Sequence, residues 1–182
     1  MFIRLYSRGG DELSFKSDWP TDEEVKKTIS EFGSLLYRTA VVILCNSYDA
    51  EDVVQDTFLK YITKHPQFND DNHKRAWLLR VAINIAKDKK SYNSKHQHLN
   101  YDSLEEFLQY KDKYEDEVDS PILLELPQKY RKTLYLYYIE KFSVNEISKI
   151  ESITVFAVRN RLQRGKALLK KLYEVKKLEK NK

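Results

Sequence analysis

Cysteine is nearly missing from this chain. Its 182 residues include one, Cys45, which excludes an internal disulfide. The neighbours Val42, Ile43 and Leu44 mark Cys45 as a small buried apolar side chain rather than a reactive thiol. Glycine and proline are scarce too, at four each. So few breakers beside many Lys, Glu, Leu and Tyr favour helix over sheet. No apolar run approaches the roughly 20 residues that a membrane helix needs. The first residues, MFIRLYSRGGDELSF, lack the apolar core of a signal peptide, so a cytoplasmic protein without membrane insertion is expected. A Gly-rich phosphate loop and a nucleophile motif are also absent. His65, His73, His96 and His98 do not fall into a metal-ligand spacing with acids or Cys, and His96-x-His98 reads as solvated loop histidines. No catalytic residue, metal or cofactor is expected, and an enzyme is the least supported class.

What is present is charge, unevenly spread. The net charge is +4. Residues 1–93 are balanced, residues 94–120 carry net −5 and residues 121–182 carry net +9. The C-terminal third is thus the candidate polyanion-binding part; on charge alone a solvated Lys-rich helix fits equally well.

The patterning divides the chain into an extension (1–20), a helical domain (21–93), a flexible acidic linker (94–120) and a second helical domain (121–182). The expected fold is therefore all-α. Thr21-Asp22-Glu23-Glu24 is a capping box, and Val25, Ile29, Phe32, Leu35, Leu36 and Val41 follow at near-helical spacing up to about Asn46-Ser47. Asp49 opens a second helix, with acids in the first turn where the helix dipole favours them, ending near Lys64. Residues 67–73 read as a loop and 74–92 as a third helix, with Trp77, Leu78, Val81 and Ile85 on its apolar side. In the linker, Leu104, Phe107 and Leu108 suggest a short helix. Beyond Pro127 a helix is expected from Gln128 to about Glu140. Ser143-Val144-Asn145-Glu146 is a second capping box, opening a short helix that breaks at Glu151-Ser152. Thr154 then caps a long helix to about Leu178. Two helices joined by such a tight turn, the second strongly basic, form a helix-turn-helix pattern.

On a helical wheel, at about 100° per residue, Val155, Val158, Leu162 and Leu169 share one sector and form the buried stripe. Phe156, Asn160, Gln163 and Arg164 face away, with Arg159 and Arg161 on the flanks. Arg can bridge guanine, and Asn or Gln adenine, in the major groove, and basic side chains neutralise phosphate. Almost no acid lies between Thr154 and Tyr173, which favours DNA binding over an ordinary surface helix. Gly165 is out of place, costing about 1 kcal/mol relative to Ala inside a helix.

Two stretches resemble the sigma-70 family. Asp49-Ala-Glu-Asp-Val-Val-Gln-Asp-Thr-Phe58 looks like its region-two motif, and Arg75-Ala-Trp-Leu-Leu-Arg-Val-Ala-Ile-Asn-Ile-Ala-Lys-Asp88 like the promoter-melting segment that follows. Leu126-Pro127…Arg131, Phe142-Ser143-Val-Asn-Glu-Ile147 and Val158-Arg-Asn-Arg-Leu162 resemble region four. Their order and spacing are similar to the extracytoplasmic-function group, which keeps only these two domains.

The resemblance implies roles, position by position. Asp49, Glu51, Asp52, Gln55 and Asp56 would bind core RNA polymerase. Trp77, Arg80, Asn84, Lys87 and Asp88 lie where the minus-ten promoter element is read, with Trp77 fitting a core role better than base stacking. Asn84 is the better contact for an extruded base because its amide both donates and accepts. Lys87, Lys89 and Lys90 would hold the backbone. Thr154, Phe156, Arg159, Asn160, Arg161, Gln163 and Arg164 match positions that read the minus-thirty-five element. Two departures stand out: Glu151-Ser152 where the family has an apolar-glycine pair, and Phe156-Ala157 where it has Gly-Thr. Ser152 must then take a turn conformation that Gly adopts more easily, and Phe156 could touch a thymine methyl. The implied partners are core RNA polymerase and promoter DNA, with an anti-sigma factor common in this group. The competing class, a stand-alone helix-turn-helix regulator that binds DNA without polymerase, explains the C-terminal third but not the acidic second helix or residues 75–88.

Overall fold

The computed structural model describes residues 20–96 and 121–180. The described elements are all helical. The suggested helix near Leu104, Phe107 and Leu108, and the extension before residue 20, lie outside the described residues.

Helix α1 (Asp22–Leu44) starts with the expected capping box: Glu24 N–H donates to Thr21 Oγ1 at 3.2 Å, and Thr21 N–H to Glu24 Oε2 at 2.7 Å. Helix α2 (Ser47–Lys64) begins two residues earlier than expected, because Asn46 accepts from Asp49 N–H at 3.0 Å and takes the N-cap. Helix α3 (Asp71–His96) also begins early. Asp70 Oδ1 accepts from His73 N–H at 2.6 Å, drawing 71–73 out of the expected loop into the first turn. Cys45 and His65 end α1 and α2 in the left-handed region (φ 54° and 45°). Cys45 is therefore a half-exposed helix cap and not the buried apolar side chain that its neighbours suggested.

The three helices close on Phe32, Leu36, Ile43, Val53, Leu78, Leu79 and Ile83, all buried. Full burial of such side chains stabilises by about 1.5–3 kcal/mol each before entropy is counted. Lys74 ties α3 to α1, its ammonium donating to Thr28 Oγ1 at 2.6 Å and lying 5.2 Å over the Tyr61 ring.

The second half comprises α4 (Pro121–Glu125), α5 (Gln128–Leu134), α6 (Val144–Glu151) and α7 (Val155–Lys180). The helix expected to run to Glu140 instead widens into a π turn over Tyr135–Ile139, closed by Glu140 N–H donating to Tyr135 O at 3.1 Å. Such turns are rare and commonly mark functional positions. Lys141 leaves it with φ 59°. Ser143 and Glu146 form the second capping box. Ser152 holds the helix-turn-helix turn at φ 55°, the strained conformation its position demanded. Gly165 is explained by close approach: a Cβ there would stand 3.1 Å from both Leu134 Cδ1 and Tyr130 Cβ. The bare backbone lets α7 lie against α5.

Both halves contribute to one buried apolar cluster. Across it, Arg75 of α3 reaches Glu140, and Arg131 of α5 reaches the Ile43 carbonyl near the C-terminus of α1.

Candidate polymerase and promoter surfaces

The exposed face of α2 carries Glu51, Asp52, Gln55 and Asp56. Asp49 sits half-buried at the helix start. Clustered carboxylates repel one another, and part of that repulsion is relieved from within: Lys89 of α3 stands 2.7 Å from Asp52 Oδ2 and 3.7 Å from Asp49 Oδ1. Burial works against the charge on Lys89, but Asp52 outweighs it and raises the pKa. Glu51, Gln55 and Asp56 keep their faces to solvent. Tyr48 (70% exposed) and Leu59 (58% exposed) flank the acids. Positions 48, 52, 55 and 59 form one helical stripe, so the surface is acidic with an exposed apolar-bodied side chain at each end. Neither apolar residue was singled out from sequence, although Leu59 lies four residues past Gln55 on the polar side.

On α3, Arg80, Asn84 and Asp88 are exposed and four residues apart, which places them in one line. Trp77 does not join them. It is half-buried with its ring edge-on to Phe68 at 5.8 Å, a core contact. Lys87 is half-buried beside α5, close enough for its charge to lower the Lys132 pKa. Of the other two lysines expected along the DNA backbone, Lys89 serves the acidic face and Lys90 donates to Ile43 O at 3.2 Å.

On α7, Thr154 caps the helix, accepting from Ala157 N–H at 3.1 Å. Phe156 is 73% exposed, and Arg159, Gln163 and Arg164 are exposed while Asn160 is half-buried. Arg161 is also engaged within the module: its guanidinium donates to Glu151 Oε2 at 2.7 Å, while its side chain stays 26% exposed. Lys166 and Lys170, also exposed, continue the line of Arg159 and Gln163 at helical spacing. They extend the basic surface by two turns beyond the residues singled out from sequence.

Glu151 is the centre of this module. It is 3% exposed, and it accepts from Thr133 Oγ1 at 2.8 Å and pairs with Lys132 at 2.9 Å and Arg161 at 2.7 Å. Burial lowers the Lys132 pKa and Glu151 opposes the shift. One carboxylate thus fixes α5, the turn and the recognition helix to each other. A buried charge persists only when paired in this way.

Among the described residues no group of three His, Cys, Asp or Glu side chains gathers as a metal site, and no helix is long and apolar enough to cross a membrane.

A helix-turn-helix with a basic outer face, joined to a three-helix body with an acidic one, defines a two-module DNA-binding protein. The family comparisons agree. Residues 28–96 match sigma-70 region 2 and residues 122–169 match sigma-70 region 4. The chain is 28% identical to the ECF RNA polymerase sigma factor SigW of Bacillus subtilis, over 75% of this chain and 81% of that one. It is also 28% identical to SigM of the same organism, over 76% and 88%. The fold is shared with CnrH, solved in complex with the cytosolic domain of CnrY (TM-score 0.63, 23% identity, 85% of this chain and 90% of that one). It is shared too with the sigma factor RpoE, solved with the anti-sigma factor NepR from Bartonella quintana (TM-score 0.65, 19% identity, 84% and 98%). The chain belongs to the sigma-70 family, in its extracytoplasmic-function group.

Proposed function

We infer that this chain binds core RNA polymerase and directs promoter-specific initiation of transcription in the cytoplasm. Residues 21–93 form the unit that docks on polymerase and captures the minus-ten element, and residues 121–182 the unit that reads the minus-thirty-five element, with 94–120 as the tether. The observation that carries the reading is the coexistence, in one chain matching both family regions, of the α2 acidic face and the α7 basic face. A stand-alone regulator has no use for the first.

The acidic α2 surface, with Tyr48 and Leu59 at its ends, docks on a basic partner surface of polymerase. Arg80 and Asn84 contact the opened strand, where the cost of unpairing, a few kcal/mol, is offset by contacts to extruded bases. Arg159, Gln163 and Arg164 meet base edges, and Lys166 and Lys170 meet phosphate. Arg161 is assigned to positioning the helix. Tethering raises the effective concentration of each module for its element, so each can be weak alone. An anti-sigma protein is a further partner on this reading, supported by RpoE having been solved with one.

Charge reversal at Asp52 and Asp56 tests the docking face. Affinity for core polymerase, measured by fluorescence anisotropy, should fall while the helical circular dichroism signal stays. Unchanged affinity removes the assignment.

A further inference from the structure

Phe156 is the most exposed large apolar side chain among the described residues. It stands on the first turn of α7, and the N-cap Thr154 fixes that turn through Ala157 N–H. The packing of the module does not require the ring. Val158 supplies the buried contact of this turn, and Val155 is half-buried beside it. A phenylalanine left in water forgoes about 1.5–3 kcal/mol of burial. Family members with glycine at this position have no side chain to place there.

Phe156 begins a line that continues through Arg159, Gln163, Lys166 and Lys170, each three or four residues further along one exposed face. The two lysines suit phosphate, and Arg159 and Gln163 can bond base edges. Phe156 can do neither. The cations that share its face match duplex DNA as the occupant. Recognition helices bring their N-terminal residues to the base edges in the major groove. There the base edges offer hydrogen-bonding atoms and one apolar group, the C5-methyl of thymine. Against cytosine, the ring would strip water from the amino group and return no hydrogen bond. Residues 156 and 163 are separated by about 10.5 Å of helix, or roughly three base steps at 3.4 Å each.

We propose that Phe156 is a specificity-determining residue that reads the methyl group of one C5-methylated pyrimidine in the upstream element, roughly three base steps from the pair that Gln163 meets. Thymine is the ordinary occupant. What is recognised is the methyl and not the whole base, so 5-methylcytosine satisfies the contact while uracil and cytosine do not. Where a promoter carries cytosine at that step, its methylation strengthens binding. The proposal deepens the promoter-reading function inferred above and rests on it.

Methyl removal from the DNA decides it. Holoenzyme assembled from the full chain and core polymerase is titrated with a promoter duplex chosen by start-site mapping. Each thymine of the upstream element, on either strand, is replaced in turn by uracil, which lacks only the methyl. One position should weaken wild-type binding about fourfold, the equivalent of one methyl-sized group withdrawn from burial. At that position 5-methylcytosine should bind about fourfold better than cytosine, opposite the same guanine. Phe156→Ala should erase both differences and melt like the wild type, and Phe156→Leu should keep part of each. A wild type indifferent to uracil at every position, or a uracil penalty that survives Phe156→Ala, would overturn the contact. The contact and its parent function fail distinguishably. Holoenzyme that selects promoters but ignores the methyl overturns the contact alone, whereas a chain that gives core polymerase no promoter preference overturns the function and the contact with it.

Discussion

Replacing Glu151 by Gln removes one charge and leaves the volume nearly unchanged. In the native module this carboxylate faces Lys132 at 2.9 Å and Arg161 at 2.7 Å, with the Lys132 side chain only 5% exposed and Arg161 26% exposed. Arg161 can turn to solvent. Lys132 cannot, so its ammonium is left buried against an amide. Breaking a buried pair from one side costs about 3–5 kcal/mol. Lys132 already has a pKa lowered by burial and can shed its proton to limit that cost, so about 2–4 kcal/mol is expected. The thermal midpoint of a 60–100-residue module moves roughly 4–8 °C per kcal/mol, which circular dichroism resolves easily. A second variant separates charge from shape. Glu151→Gln with Lys132→Met leaves no uncompensated ion and should regain much of the loss. If Glu151→Gln melts within about 0.5 kcal/mol of wild type, as surface changes do, or if the double variant is no better than the single, the carboxylate does not hold the module together.

Four further outcomes follow from the same geometry. Gly165→Ala gains helix propensity of about 1 kcal/mol but forces α7 off Leu134 and Tyr130, and overpacking of about 1–3 kcal/mol should win; a higher melting temperature would contradict the close approach. Hydrogen bonds from the Ser143 side chain and backbone hold the Glu146 carboxyl below its ordinary value. The stability it lends is therefore complete above pH 4.5 and is lost as pH falls through the lower folded value. Ser143→Ala should cost about 1 kcal/mol at neutral pH and flatten that acid dependence; an unchanged slope in pH-dependent melting would refute the cap. Arg164→Ala should weaken binding to the upstream element by about 1–3 kcal/mol with relaxed selectivity at one base pair, whereas a uniform loss across sequences in a gel-shift series would assign it to phosphate. Arg161→Ala should instead lower the melting temperature of the module, and a pure loss of base selectivity with stability intact would return Arg161 to the reading face.

Local signals carried furthest from sequence to structure. Thr21…Glu24 and Ser143…Glu146 announce their helices because both partners of each cap lie three residues apart. Thr154 and the strained Ser152 follow from the same short-range logic. The buried stripe was legible at Val158, where burial is complete, and less so at Val155, Leu162 and Leu169, which stay half-exposed along the outer length of α7. Asp70 was read as loop because residues 67–73 hold three acidic or amide neighbours that serve equally as caps. What could not be read depends on partners far away in the chain. Arg161 looks like a DNA reader alone until Glu151 is seen buried beneath it, and Lys89 looks free until α2 packs alongside α3. Arg75 and Glu140 are 65 residues apart, and neither is unusual on its own helix. The π turn at Tyr135–Ile139 keeps a helical composition, so periodicity cannot distinguish it from an α-helix.

The most direct measurement mixes the purified chain with bacterial core RNA polymerase at low salt and maps transcript starts on a pool of genomic DNA fragments. Discrete start sites that appear only with the chain present, and fade when Asp52 and Asp56 are reversed, are the expected result. Transcripts unaltered by the chain, together with tight sequence-specific binding to the same fragments in the absence of polymerase, would contradict it.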